Sequence, residues 1–153
     1  MKVIYLDIDG VMNSAEFDRL ICNYRHGGIY NIFDQRACLR LMNLIDETGA
    51  YVILSSSWRI DENSRKEVDI QLRPYRIKVV GYTGQERGQR GDQIAAHLAA
   101  HPEITEYVVF DDDDDMDAVR SHFVKTTFEH GLQDEHIELA KQILNGHLLE
   151  ENN

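Results

Sequence analysis

Apolar residues along the chain fall into five short runs that are rich in β-branched and aromatic side chains. These runs are Val3–Leu6, Tyr51–Leu54, Ile77–Val80, Tyr107–Phe110 and Phe123–Thr127. The first, second and fourth are almost uninterrupted by polar residues, which is typical of strands buried on both faces. The pattern therefore predicts a sheet of five strands, of which these three at least are covered on both sides.

Helical spacing of apolar residues is found between these runs. Asp34 can cap a helix that ends before Gly49, and its apolar stripe consists of Ala37, Cys38, Leu41, Leu44 and Ile45. Further helices are predicted over Asp92–Ala100 and over Asp134–Asn145. Strands that alternate with helices indicate a three-layer α/β fold with a mostly parallel sheet. We expect one domain over residues 1–149 and a frayed tail over residues 150–153.

Composition narrows the range of partners. The 153 residues include 16 Lys and Arg against 27 Asp and Glu, so the formal net charge is −11. An acidic protein repels extended duplex DNA, but this charge does not prevent action on one phosphate at a nucleic-acid end. The longest apolar runs are far shorter than the roughly 20 residues of a membrane helix, and the first residues lack a signal peptide's apolar region. We therefore expect a cytoplasmic protein without a membrane partner.

Polar and acidic residues follow three of the predicted strands. The segment Asp7-Ile8-Asp9-Gly10 follows the first strand, Ser55 to Arg59 follow the second, and Asp111 to Asp115 follow the fourth. In open α/β sheets, ligands bind beyond the carboxyl ends of the strands. If these strands are neighbours, two acidic clusters and a group of hydroxyls meet at one edge of the sheet.

The acidic residues at this predicted edge suggest a bound cation. The spacing of two between Asp7 and Asp9 places both side chains on one side of an extended chain. Neighbouring carboxylates repel unless a cation or a shared proton intervenes, and Mg²⁺ is the usual cation in a site of carboxylates and substrate phosphate. Taken singly, each segment is equally compatible with an ordinary polar loop or a solvated acidic run. Their joint placement after three predicted strands favours a catalytic site.

These segments resemble the motifs of the haloacid dehalogenase (HAD) superfamily. A hydrophobic strand followed by Asp7-Ile8-Asp9-Gly10-Val11 resembles the first motif, and Tyr51–Ser55 resembles the second. Arg90, ahead of a helix, matches the third motif, and the strand ending in Asp111-Asp112 matches the fourth. The segment Ser55–Arg59 and the Gly131-Leu132 turn look like HAD domains found in or beside RNA-repair proteins. The resemblance implies a Rossmann-like (HAD-like) fold.

The resemblance also implies a role for each matching residue. Asp7 would be the nucleophile that forms an aspartyl-phosphate, and Asp9 would be the general acid and base. Ser55 would bind the transferring phosphoryl group, and Arg90 would offset its negative charge. A Mg²⁺ ion would be held by four aspartates, of which Asp9 contributes its backbone carbonyl: Asp7, Asp9, Asp111 and Asp112. The five consecutive aspartates leave open which of them touches the ion directly, and Asp115 is a candidate for an outer position.

Substrate contacts are predicted at Ser56, Arg59 and Arg87. For Arg59 the alternative is a charge on a helix surface, and for Arg87 it is a position in a flexible loop. Trp58 is expected to pack beside the site, with stacking on a base as the alternative. The gaps between predicted elements are too short for a large cap domain, so the site should be open. Arg25 to Tyr30 form either a flap over it or a plain loop.

These features lead to one expected activity and two alternatives. An acid at the position of Asp9 favours a phosphatase over a dehalogenase, because only an alkoxide leaving group needs protonation. We expect a Mg²⁺-dependent phosphomonoester hydrolase, with 3′- or 5′-phosphate ends of nucleic acids as the first candidate substrate. The alternatives are a phosphatase of nucleotides or other small metabolites and a non-catalytic HAD-like binding module.

Overall fold

The computed structural model describes residues 1–24 and 32–148. The expected flap at residues 25–30 and the expected tail at residues 150–153 lie outside the described residues. Five parallel strands form one sheet in the order β3-β2-β1-β4-β5. They are β1 (Lys2–Leu6), β2 (Tyr51–Leu54), β3 (Val79–Tyr82), β4 (Glu106–Asp111) and β5 (Phe123–Lys125). The predicted five-stranded α/β fold is confirmed.

Helices cover both faces of the sheet. They are α1 (Ala15–Tyr24), α2 (Gln35–Thr48), α3 (Glu62–Leu72), α4 (Arg90–Ala100) and α5 (Asp134–Leu144). Helices α2, α3 and α5 pack on one face around a core that includes Leu41, Leu72 and Ile143. Helix α4 and the short 3₁₀ helix Asp117–His122 pack on the other face around Tyr5 and Ile94. This division into three layers leaves the carboxyl ends of the strands free for a site.

The connections between strands in the described ranges hold short helices and no inserted domain, which agrees with the expected lack of a large cap. No helix among the described residues has the length and apolar character that crossing a membrane requires. Cys38 lies on α2 and is buried in the hydrophobic core, as its position on the apolar stripe predicts.

Two helices are absent from the sequence-based prediction. In α3 only Val68 and Leu72 are buried, and Ile70 is exposed, so its apolar stripe is too narrow to be recognised. Helix α1 lies in the connection between β1 and α2. For this connection we predicted no helix and noted only that it is too short to hold a cap domain. Helix α4 begins at Arg90 rather than Asp92, because the Asp92 carboxylate accepts a hydrogen bond from the backbone N–H of Gln89 and caps the helix from within.

The predicted bounds of two edge strands are wrong. Strand β3 begins at Val79 rather than Ile77, because Arg76 adopts a left-handed conformation and the N–H of Ile77 still bonds the carbonyl of Leu72. Strand β5 ends at Lys125, because Thr127 pairs with Gly131 in an antiparallel bridge and turns the chain away from the sheet. In both cases an apolar run extends past the residues that form the parallel pairing.

Candidate active site

The register of the three central strands brings their ends to one level. Leu6 of β1 is paired with Leu54 of β2 and with Phe110 of β4. The ladder continues by one bond on each side, because the N–H of Asp7 bonds the carbonyl of Phe110 and the N–H of Ser55 bonds the carbonyl of Leu6. Asp7, Ser55 and Asp111 therefore lie side by side at the carboxyl edge of the sheet.

Three carboxylates meet at this edge. Asp7, Asp111 and Asp112 can each offer one oxygen, and these oxygens lie within 4.8 Å of one another. Burial raises the pKa of Asp7 to about 6, against the opposing effect of Arg90. Burial, followed by the negative charge of Asp7, raises the pKa of Asp111 to about 8. These three carboxylates are hard oxygen donors, and the single charge of Arg90 does not balance them. Such a group suits Mg²⁺.

Gly10 makes room for the third carboxylate. Its φ of +81° lies in the left-handed region, and a Cβ atom placed on it would lie 2.5 Å from Cγ of Asp112. The hydroxyl of Thr126 donates a 2.6 Å hydrogen bond to the carbonyl of Gly10, and this bond holds the turn in place. The turn after β1 thus allows Asp112 to approach Asp7, which a residue with a side chain would prevent.

Arg90 supplies positive charge to the carboxylates. Its Nη1 atom lies 3.6 Å from Oδ1 of Asp7 and 3.6 Å from Oδ2 of Asp111. Asp115 holds the start of α4 in place, because its carboxylate and its carbonyl accept the backbone N–H groups of Arg90 and Gly91 at 3.2 and 2.9 Å. Gly91 allows this contact, since a Cβ atom there would lie 2.9 Å from Cα of Met116. Asp115 thus holds the backbone from which the side chain of Arg90 extends.

The serines after β2 differ in their surroundings. The hydroxyl of Ser55 is buried, and it has no hydrogen-bond partner among the residues that the structure describes. An orphaned buried hydroxyl beside Asp7 has the chemistry expected of a phosphoryl-binding group. The hydroxyl of Ser56 accepts the backbone N–H of Trp58 at 3.2 Å and begins the 3₁₀ helix Ser57–Arg59. Ser56 also lowers the pKa of Asp7 through a hydrogen bond, an effect smaller than that of burial.

Arg59 is not a charge on a helix surface, and its guanidinium bonds to other parts of the protein. The residue is only 4% exposed. All five of its N–H groups donate hydrogen bonds, at 2.8–3.1 Å, to the carbonyls of Ser55, Ser56, Thr83 and Gly84 and to the side chain of Gln93. It joins the loops after β2 and β3 to α4. Its effect on the site is therefore to hold the Ser55 and Ser56 loop in position.

Arg87 is exposed in the connection between β3 and α4. No ion pair links it to the acidic group in the part of the chain that the structure describes.

Asp9 is exposed and is held by two neutral donors. Asn13 Nδ2 donates to Oδ1 of Asp9 at 2.9 Å, and Trp58 Nε1 donates to Oδ2 at 3.0 Å. Asn13 was missed by the sequence analysis, although its place four residues after Asp9 in the same turn offered a signal. Trp58 does lie beside the site. Asp9 and Trp58 line a groove of about 640 Å³ whose other described walls are Ile32, Asn63, Ser64, Glu67 and Gln71.

One of three comparisons with known proteins finds a match. Residues 3–137 match a family model described as the HAD domain in Swiss Army Knife RNA repair proteins. The match extends from the first strand into α5 and so includes every residue of the candidate site. No curated protein and no solved structure matches the chain significantly.

Proposed function

The chain belongs to the HAD superfamily, as a HAD domain of the kind found in Swiss Army Knife RNA repair proteins, and we propose that it is a Mg²⁺-dependent phosphomonoester hydrolase. One observation carries the proposal. Asp7 lies at the end of β1 with Asp111 and Asp112 close enough to share a cation, and with Arg90 3.6 Å from its carboxylate. A nucleophile, a metal site and a cation for the phosphoryl group are thus combined in one place.

The first step transfers the phosphoryl group to the protein. An oxygen of the ionised Asp7 carboxylate attacks phosphorus and forms an O–P bond. The bond from phosphorus to the leaving oxygen breaks, and that oxygen keeps the electron pair and takes a proton from Asp9. The nearby guanidinium of Arg90 favours the ionised form of Asp7 and stabilises the negative charge that spreads over the phosphoryl oxygens.

The second step releases phosphate. Asp9, now a carboxylate, accepts a proton from a water molecule as the water oxygen attacks phosphorus. The bond between phosphorus and Asp7 breaks, and inorganic phosphate leaves with Asp7 ionised and Asp9 protonated again. The hydroxyl of Ser55 donates to a phosphoryl oxygen in both steps, which gives this buried group a partner that it lacks among the described residues.

Mg²⁺ would be held by the carboxylates of Asp7, Asp111 and Asp112 and by the backbone carbonyl of Asp9. The bound ion supplies positive charge that draws the phosphate to the carboxylates and polarises its oxygens. Gly10 serves this site directly, because its missing side chain is what brings Asp112 within reach of Asp7.

For the substrate we propose a phosphorylated nucleic-acid end. The family description names RNA repair proteins, and the described chain has no inserted cap that would restrict the site to small molecules. A nucleotide or another small phosphate ester is the second candidate. It is favoured by the net charge of −11 and by the groove beside Asp9, whose described side chains include two acids and no cation.

Phosphate release from a panel of substrates tests this function. The panel contains p-nitrophenyl phosphate, mononucleotides, sugar phosphates, and oligonucleotides with 3′- or 5′-phosphates, each with Mg²⁺ or with EDTA. We expect Mg²⁺-dependent release that Asp7→Asn reduces by orders of magnitude, with the preferred substrate separating the two candidates. Metal binding without turnover on any substrate would instead indicate a non-catalytic binding module.

A further inference from the structure

The carboxylate of Asp9 is restrained although it is exposed. An exposed aspartate after a strand is ordinarily free to change its rotamer, but here each of its two oxygens accepts a hydrogen bond from a different side chain. Of the two donors, Asn13 lies in the turn between β1 and α1, and Trp58 lies in the 3₁₀ helix after β2. Two bonds of normal length to separate oxygens define the plane and the direction of a carboxylate.

Both donors are themselves fixed by the surrounding structure. Asn13 is buried, and its Oδ1 atom accepts the backbone N–H of Gly10 at 3.0 Å. The indole of Trp58 packs edge-on against Phe33 with ring centroids 5.9 Å apart, and its backbone N–H is bound by Ser56. Arg59, the next residue, is held by five hydrogen bonds. Neither donor is therefore able to follow Asp9 into another rotamer at low cost.

The restrained Asp9 carboxylate lies along the groove. Asp9 and Trp58 line it together, whereas Asp7 is buried at the edge of the sheet. In phosphoryl transfer the attacking and leaving oxygens are roughly in line, on opposite sides of phosphorus. The groove thus offers room for the leaving group on the side of the acid that has to protonate it.

We propose that Trp58 is a positioning residue that, together with Asn13, holds Asp9 in the orientation needed to protonate the leaving oxygen. This inference rests on the proposed function, since it assigns Trp58 to the general acid of that reaction. Trp58 acts through its indole N–H and not through contact with the reacting atoms. Its contribution should therefore depend on how much the leaving group needs a proton.

The test compares two variants on two kinds of substrate. Trp58→Phe keeps an aromatic ring beside Phe33 and removes the N–H. Trp58→Gln removes the ring but places an amide N–H the same number of bonds from Cβ as the indole N–H. The substrates are p-nitrophenyl phosphate, whose phenolate leaves without a proton, and a phosphate ester of an alkyl alcohol, whose alkoxide needs one.

We expect Trp58→Phe to lower kcat/KM, which reports the step that expels the leaving group, for the alkyl ester by about tenfold or more, a part of the 10²–10⁴-fold that general acid catalysis supplies. The loss for p-nitrophenyl phosphate should be several times smaller, and Trp58→Gln should recover part of the alkyl activity. In an Asp9→Ala background, Trp58→Phe should cause no additional loss for the alkyl ester, because the acid that it positions is absent. Thermal melting of each variant verifies that it folds.

Other outcomes distinguish a failure of the role of Trp58 from a failure of the proposed function. Equal losses of kcat/KM on both substrates, or losses that multiply in the Asp9→Ala background, overturn the role of Trp58 and leave the phosphatase intact. If Trp58→Phe does not fold, Trp58→Gln decides alone, because it keeps an N–H donor. A selective loss of alkyl activity as large as that of Asp9→Ala then overturns the claim that Trp58 acts through its N–H. Absence of turnover by the wild-type protein on both substrates overturns the proposed function and this inference with it.

Discussion

The guanidinium Nη1 of Arg90 lies 3.6 Å from Oδ1 of Asp7, at the same distance as it keeps from the carboxylate of Asp111. One cation on α4 therefore faces two buried carboxylates that end neighbouring strands. This arrangement offsets part of their repulsion in the absence of other ligands. It also places positive charge where a phosphoryl group attached to Asp7 would gain its negative charge.

Arg90→Ala is expected to reduce kcat by about 10²–10³-fold, the range seen when one preorganised donor to a developing oxyanion is removed. Arg90→Lys should recover only part of this loss, because an ammonium lacks the planar fork of donors. Steady-state kinetics with saturating Mg²⁺ checks both variants. Arg120→Ala is the control, since Arg120 pairs with Asp114 and Asp117 on the surface. Turnover by Arg90→Ala close to that of the wild type would contradict the assignment.

Gly10→Ala is expected to weaken Mg²⁺ binding by more than about tenfold, because its Cβ atom displaces Asp112 from the carboxylate group. The left-handed backbone adds a loss of stability of about 1–2 kcal/mol. Gly49→Ala is a matched control: Gly49 also has a positive φ, of +71°, but nothing lies within 4 Å of an added Cβ atom. Calorimetric titration with Mg²⁺ should show normal affinity for Gly49→Ala, and equal weakening in both variants would refute the explanation.

Arg59→Leu is expected to lower the free energy of unfolding by at least about 3 kcal/mol, because several buried carbonyls lose their hydrogen-bond donor together. Denaturant unfolding monitored by circular dichroism measures this change. Arg19→Leu, at an exposed ion pair with Glu129, serves as the comparison and should unfold like the wild type. If Arg59→Leu is as stable as Arg19→Leu and loses only substrate affinity, Arg59 is a substrate contact after all.

Stability without metal should fall as the pH rises from about 5 to about 8. The pKa values of Asp7 and Asp111 are raised by burial to about 6 and about 8 from an ordinary value of 3.8. The folded protein therefore binds more protons than the unfolded chain in this interval, and the stabilisation present at low pH is lost as the pH passes through the raised values. Mg²⁺ replaces these protons, so its effect on Tm should be larger at pH 8 than at pH 5.5.

Melting curves in EDTA and in Mg²⁺ across this pH range provide the measurement. His97, His122 and His136 act in the opposite sense, because burial lowers their pKa values and their protonation below about pH 6.5 opposes folding. Asp111→Asn separates the two effects, since it keeps the histidines and removes the carboxylate with the higher pKa. A shift in Tm by Mg²⁺ that is the same at both pH values would count against the metal site.

Much of the architecture follows from local sequence patterns. Buried strands such as Val3–Leu6 and Tyr107–Phe110 are nearly continuous apolar runs, and the stripe that includes Leu41 and Leu44 has the period of a helix. The order of these elements and the motifs at their ends were sufficient to predict the α/β fold and the HAD family, both of which are confirmed. Parallel pairing in register then brings together Asp7, Ser55 and Asp111, because each follows directly after one of the paired residues Leu6, Leu54 and Phe110.

The five consecutive aspartates illustrate what local patterns leave undecided. Asp111 and Asp112 join Asp7, while Asp115 turns to the backbone of Arg90 and Gly91. Five identical residues do not show which of their side chains face the site. The position at which β4 ends and the space left by the missing side chain of Gly10 determine this.

The sequence by itself determined the fold, the family and the candidate residues that follow the strands, because these depend on residue type and on spacing along the chain. The tertiary structure alone decided that Arg59 bonds to the loops after β2 and β3, and that Asn13 and Trp58 together hold Asp9. Arg59 reaches acceptors up to 34 residues away, and Trp58 lies 49 residues from Asp9. A long polar side chain can bind a ligand or form hydrogen bonds within the protein. Partners far away in the sequence decide between these two roles, and the type of the residue does not.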